Sequence, residues 1–253
     1  MVFPPSWHPV LAAGLLRAGD KVIPVLANAQ RLALWRSASG AVQAWEDRCP
    51  HRGVALSLGR VEGDRLACAY HGWEYAAMDG RCVAIPAMPR QPVPGKVCVK
   101  TYPVRVYQDM VWVELAPPDT RTAAVAQAPA TYLSMSMAAS AAASTDHPQD
   151  ALGHDAASAQ APPAGVFLRS LCIDVPIARL DRALADAGFQ QPCAHVWHGT
   201  MDRAAVRLYA LAASAQWSTL HLFCMQPPDA AQRVRVLAAA RALRTVIETP
   251  PEA

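Results

Sequence analysis

No run of eighteen or more residues in this chain is both uncharged and apolar enough to span a bilayer. The longest uncharged stretch, Thr122–Thr145, is too rich in Ser, Thr and Gln for that role. No basic region precedes the short apolar run within Met1–Leu16, so a secretory leader is not expected. Excess charge is missing as well. With 23 basic and 20 acidic residues the net charge is only +3, which offers no footing to nucleic acid or to an anionic membrane surface. The seven cysteines are an odd number in a chain of 253 residues. That argues against a disulfide scaffold and for reduced thiols and cofactor ligands in the cytoplasm.

What is present is a globular composition, 53% hydrophobic and 17% charged, without an internal repeat. Residues 1–118 read as an all-β domain. Lys21–Ala27, Leu32–Arg36, Ala41–Glu46, Val97–Val106 and Met110–Leu115 are short apolar or alternating runs separated by turn signals such as Ser39-Gly40. Residues 119–165 form a linker of Ala, Ser, Gln, Thr and Pro that can bury little. Residues 166–253 read as a smaller sheet-and-helix domain. Strands are expected at Val166–Val175, Val206–Ala213, Ser218–Met225 and Arg233–Ala240. A helix is expected at Pro176–Gly188, where Ile177, Leu180, Leu184 and Ala187 share a face. The fold class is α+β.

Two boxes carry the chemistry. Cys49-Pro50-His51-Arg52-Gly53 and Cys68-Ala69-Tyr70-His71-Gly72-Trp73 together spell C-x-H, sixteen residues, C-x-x-H. Each offers one thiolate and one imidazole. In a Rieske [2Fe–2S] centre two His replace two Cys on one iron, which lifts the reduction potential to roughly −150 to +300 mV, against about −400 mV for plant-type ferredoxins. A zinc site also accepts two Cys and two His, but a finger places C-x₂₋₄-C before H-x₃₋₅-H, which this spacing does not do. Gly53 and Gly72 let the backbone turn tightly and present amides to sulfur.

These boxes resemble those of the Rieske non-haem iron oxygenases, the ring-hydroxylating and O-demethylating enzymes. The features that carry the resemblance are Arg52-Gly53, Tyr70 and Gly72-Trp73, together with Ser6-Trp7-His8-Pro9-Val10 and the stretch from Asp79-Gly80-Arg81-Cys82 through Ile85-Pro86. It covers roughly residues 5–117. Respiratory Rieske proteins place an extra cysteine in each box, where this chain has Val54 and Tyr70. The resemblance implies cluster ligation by Cys49, His51, Cys68 and His71, with His71 as the exit for electrons.

The family also carries a mononuclear Fe(II) held by two His and one carboxylate. Its pattern, N-x-x-D-x-x-H-x-x-x-x-H, falls on Ala143–His154. Asp146 takes the bridging-Asp place and His154 the second His, but Gln149 stands at the first His and Ala143 at the Asn. His147 and Asp150 are stand-ins for the missing ligand. The family's carboxylate lies on a long helix near the C-terminus. Here Arg233–Arg244 reads as late strand, no such helix is expected after it, and Asp229, Glu248 and Glu252 are the only late acids. The implied catalytic domain is shortened and degenerate.

The expected function is therefore an electron-transfer subunit. It would take electrons from a reductase or ferredoxin and pass them to an iron site in a partner oxygenase subunit or in another copy of the chain. One alternative is a complete oxygenase with iron at His147, His154 and Asp150. Another is a non-enzymatic binding or assembly subunit. Elsewhere, His195 and His198 are three apart and could share a helix face, and His221 reads as a core or pocket residue. Trp7, Trp35, Trp45 and Trp112 read as core, and Trp73 as a shield beside the cluster. Arg52 reads either as a docking residue or as plain surface. Most of Cys82, Cys98, Cys172, Cys193 and Cys224 read as buried small apolar groups.

Overall fold

The computed structural model describes residues 4–93, 95–115 and 165–250. In the N-terminal part, Trp7–Ala12 (β1), Ile23–Ala27 (β2), Gln30–Arg36 (β3) and Val42–Glu46 (β4) come first. Arg60–Glu62 (β5), Arg65–Ala67 (β6), Glu74–Ala76 (β7), Cys82–Ala84 (β8), Val104–Tyr107 (β9) and Met110–Glu114 (β10) come next. They form three antiparallel sheets ordered β1-β10-β9, β2-β3-β4 and β5-β6-β7-β8. Strand residues alternate between faces, and each short sheet turns its apolar face inward. Leu32, Leu34, Val111 and Val113 fill one core. Trp35, Trp45, Leu66 and Tyr75 fill another, with the indoles of Trp35 and Trp45 edge to face at 4.9 Å.

The C-terminal part holds Val166–Ile173 (β11), Ile177–Asp186 (α1), Gln190–Cys193 (β12), Val196–Met201 (β13), Ala204–Ala212 (β14), Ser218–Cys224 (β15) and Ala230–Glu248 (α2). One antiparallel sheet runs β11-β15-β14-β13-β12. Leu180 and Leu184 of α1 and Val236, Ala240 and Ile247 of α2 pack on one face, against Leu208, Leu220 and Leu222. The helix expected at Pro176–Gly188 is observed as α1, because Leu180 and Leu184 lie on one face at i, i+4.

The last expected strand is corrected. Arg233–Ala240 lies inside α2. The alternation of Val234, Val236 and Ala240 imitates period 2, but Asp229 caps the segment, its carboxylate accepting from the Gln232 amide at 2.7 Å. Ala and Arg, both strong helix formers, dominate the residues after the cap. A long helix, not expected after the late strands, is thus present. The expected His195/His198 helix face is also corrected. His195 sits in a turn at φ 66° and His198 on β13.

The other face of the sheet receives the N-terminal part. Trp7, Met110 and Trp112 pack against Tyr209 and Phe223. Two hairpin turns reach across. Asn28-Ala29, with both residues at positive φ, donates its amides to the Ala212 and Ala213 carbonyls at 2.6 and 2.9 Å. Gln108-Asp109, also at positive φ, places two oxygens of Gln108 at 3.4 Å from the Tyr209 hydroxyl. These are the tight turns that two-residue hairpins favour.

Candidate metal centre

The two boxes are the loops β4–β5 and β6–β7, and both close by the same backbone device. The Gly53 amide donates to the Cys49 carbonyl at 2.8 Å, and the Gly72 amide to the Cys68 carbonyl at 3.0 Å. The Cys49 amide donates to Val54 and the Cys68 amide to Trp73, at 2.8 and 2.9 Å. In both boxes the glycine falls four residues after the cysteine, at φ 75° and 68°, a region that costs glycine little. A Cβ on Gly72 would lie 3.1 Å from the Pro86 ring. The histidine falls at different offsets, so two equal turns present their imidazoles from different positions.

The result is a pair of buried thiols beneath a pair of outward imidazoles. Cys49 and Cys68 are each 3% exposed, and Cys68 is close enough to Cys49 to hydrogen-bond with it. The rings of His51 and His71 lie 4.7 Å apart. Trp73 stacks on His51 at 4.1 Å and 9°, and the Tyr70 ring lies 3.8 Å from that of His71. Burial foremost pushes the Cys68 thiol up, while the amides of Tyr70 and His71 aimed at it act the other way. Desolvation, then His71 and Arg52, lower His51, which favours the neutral, ligating imidazole.

Two supports are not legible as motifs. The Tyr75 hydroxyl lies 3.1 Å from Cys49 Sγ in the fully buried floor of the site. Burial first, then the sulfurs, push its phenol far above the ordinary range, so it stays protonated. Asp47, at the base of the first loop, accepts from the Ser57 amide and hydroxyl, both at 2.7 Å. A polar residue at the end of a strand is commonplace in sequence. Only the loop's return identifies Asp47 as a clamp.

Paired thiols and paired imidazoles on two facing loops fit a two-iron cluster that takes two protein ligands per iron. Among the described residues, no three His, Cys, Asp or Glu side chains are arranged around a single ion, as structural zinc requires. Asp146, His147, Asp150 and His154 lie outside the described residues. His195 and His198 point to no common ligand. His198 accepts from Arg207 at 3.1 Å, while the His195 ring lies 5.0 Å from that of His8. His221 is buried, with Nδ1 2.8 Å from the Ser170 hydroxyl. Trp7, Trp35, Trp45 and Trp112 are all buried, as expected of core aromatics. Cys82 and Cys224 are buried, Cys172 and Cys193 half-buried, and Cys98 exposed. It sits outside the apolar cores, in the segment leading to β9.

Residues 6–103 match the family described as the Rieske [2Fe-2S] domain. Residues 6–103 are a Rieske domain, a kind of domain that holds a [2Fe–2S] cluster, and the described residues share the fold of the two solved proteins named below. In sequence it is 46% identical over 89 residues to the oxidoreductase NdmD of Pseudomonas putida, covering 35% of this chain and 15% of that protein. It is 42% identical over 108 residues to the 3-chlorobenzoate-3,4-dioxygenase oxygenase subunit of Comamonas testosteroni, covering 42% of this chain and 25% of that one. The chain thus spans a quarter or less of the length of these curated relatives. In structure it resembles NdmA of Pseudomonas putida CBB5 with a TM-score of 0.63 at 20% identity, over 98% of this chain and 82% of that one. Dicamba monooxygenase bound to dicamba gives a TM-score of 0.63 at 17% identity, over 98% and 87%. Among the described residues no helix is long and apolar enough to cross a membrane.

Proposed function

We propose that Cys49 and Cys68 bind one iron and His51 and His71 the other, and that the chain serves as an electron-transfer subunit of an oxygenase system. It takes electrons from a reductase or ferredoxin and hands them to a mononuclear iron site in a partner subunit. The observation that carries this reading is the facing pair of loops, with two thiols buried and two imidazoles turned outward at 4.7 Å. When bound, such a cluster takes up and gives back one electron without making or breaking a bond to substrate. The chain's own part is to hold that centre still and to set its surroundings. Once Cys49 is a thiolate, as a metal ligand must be, the Tyr75 hydroxyl is the donor of their hydrogen bond. Trp73 covers His51 from water, and His71 stands exposed at the tip.

The handover to a separate subunit is supported by α2. The carboxylate that completes an oxygenase iron site is expected on a late long helix, and α2 has no acid from Ala230 to Ile247. The acids at its two ends are engaged. Asp229 caps the helix, and Glu248 accepts from Arg244 and from the Asp174 amide, both at 2.9 Å. A second reading, a complete oxygenase with iron at His147, His154 and Asp150 and with Asp146 as the bridging acid, is favoured by the extent of the fold. The chain matches 82% of NdmA, of which one solved structure is described as containing caffeine.

Metal analysis with EPR of the dithionite-reduced protein separates these readings. About two irons and two sulfides per chain, with a Rieske-type signal, are expected. A third iron per chain, with substrate turnover by the isolated chain and a reductase, would favour the complete oxygenase. A colourless zinc protein would refute both.

A further inference from the structure

Among the described residues Arg207 is the one lysine or arginine that is buried, at 3% exposure. On β14 it stands opposite His198 of β13 and Phe223 of β15, on the sheet face that carries Tyr209. Its Nε donates to His198 Nε2 at 3.1 Å. Its Nη1 lies 3.5 Å from the Tyr209 hydroxyl, at the outer limit of a hydrogen bond. Nη2 donates to no described residue. The Tyr209 hydroxyl in turn reaches the two Gln108 oxygens only at 3.4 Å. A guanidinium and a phenol thus lie side by side, each with donor capacity left over.

No described acid neutralises this guanidinium, which makes no ion pair among the described residues. Its neighbours carry no negative charge. Burial first, then Arg207 itself, lowers His198, so the imidazole is a neutral acceptor. Burial raises the Tyr209 phenol and the Cys193 thiol, and Arg207 only partly opposes it. Asp109 is close enough to act on Tyr209, but burial pushes its carboxyl up and it forms no ion pair among the described residues. A buried charge without a counter-ion is costly, and an anion relieves the cost. With Nε taken by His198, the free edge is the Nη1–Nη2 pair, whose parallel donors match the two oxygens of a carboxylate. We propose that Arg207 and Tyr209 form a binding site for a small carboxylate at the seam of the two halves. The site is separate from the cluster loops and independent of the electron-transfer reading. Because Tyr209 touches Gln108 of the N-terminal hairpin, a carboxylate held there braces the hairpin tip on the platform.

The test uses the full chain and acetate, with equal concentrations of neutral acetamide and of chloride as comparisons. Titration calorimetry gives Kd, and scanning calorimetry gives Tm. Acetate at about ten times its Kd is expected to raise Tm by about 3–6 °C, and acetamide to leave it unchanged. Arg207→Met is expected to abolish the acetate shift and, without acetate, to melt above the wild type, because the uncompensated charge is gone. Arg207→Lys keeps the charge but not the fork and is expected to bind acetate about tenfold more weakly. Tyr209→Phe loses one donor and is expected to bind about three- to tenfold more weakly. Arg241→Gln removes an exposed cation from α2 and is expected to change Kd less than about twofold. No acetate shift in the wild type, an equal shift from chloride, or a shift that survives Arg207→Met would overturn the site. So would an Arg207→Met protein that melts below the wild type, since an acid of the chain itself would then be the counter-ion.

Discussion

The two halves of the described molecule spend their polar groups in opposite ways. In the N-terminal half the strands are short, three to seven residues, and the work is done by the loops between them. Their backbone amides, thiols, imidazoles and the Tyr75 hydroxyl converge on one place. In the C-terminal half a five-stranded sheet and two helices enclose a large apolar core, and the buried Arg207 and His221 lie on the sheet face that carries Tyr209 and Phe223. His8 Nδ1 is buried there with no hydrogen-bond partner among the described residues, and the buried His221 lies against the Pro9 backbone. One half is a clamp for a cofactor. The other is the platform that holds the clamp, because Tyr209, Phe223 and the Ala212 and Ala213 carbonyls receive strands and hairpin tips from it.

That contrast can be broken at either end. The largest effect is expected in the clamp. Cys68→Ser should take bound iron from about two per chain to near zero, since a hydroxyl is a poor soft-metal ligand. Iron analysis and loss of the visible absorption check it, while circular dichroism should retain the C-terminal sheet signal. In the platform the reverse is expected. Leu222→Ala, at a fully buried position, should cost about 2–5 kcal/mol in urea unfolding and leave the cluster spectrum unchanged at low denaturant.

Acid should act at the seam. Burial chiefly, with His195 nearby, holds His8 at about 4, and burial holds His221 at about 4. Both values lie below the unfolded value of about 6.5. The unfolded chain then binds more protons than the native one between these values. The stability is therefore complete above about pH 6.5 and is lost as pH falls toward 4. By about pH 5 each histidine should cost about 2 kcal/mol. Melting temperatures measured from about pH 7.5 down to about pH 5 should fall, with a shallower slope in His221→Gln. An identical slope in that variant would remove His221 from the account.

The smallest effect tunes the clamp. Tyr75→Phe removes one donor to Cys49 Sγ and should lower the reduction potential by about 60 mV, the one-electron equivalent of a hydrogen bond worth ~1.4 kcal/mol. Protein-film voltammetry reads it directly. An unchanged potential would mean that the 3.1 Å contact does not act on the sulfur.

Much of the clamp was legible in sequence because its chemistry is local. Cysteine, histidine and glycine close together in the chain define a turn and its donors at once, and two such boxes at this spacing suit few metals. Asp47 and Tyr75 escaped because their partners, Ser57 and Cys49, matter only once the loops fold back. In the platform α1 was legible from its i, i+4 leucines. Residues 233–240 were misread because alternating Val and Ala satisfy a strand pattern over a short window, whereas the Asp229 cap and the face of Val236, Ala240 and Ile247 need the whole helix to be seen.

The sequence by itself determined the donor set, the two glycine turns that aim it, and the absence of any acid along the interior of α2, since each is a matter of residue type at a fixed offset. Tertiary structure alone decided that the sulfurs lie inside and the imidazoles outside, and that a buried phenol meets one sulfur. Those are contacts between segments far apart in the chain. Their energies depend on distance and burial, which no local pattern encodes.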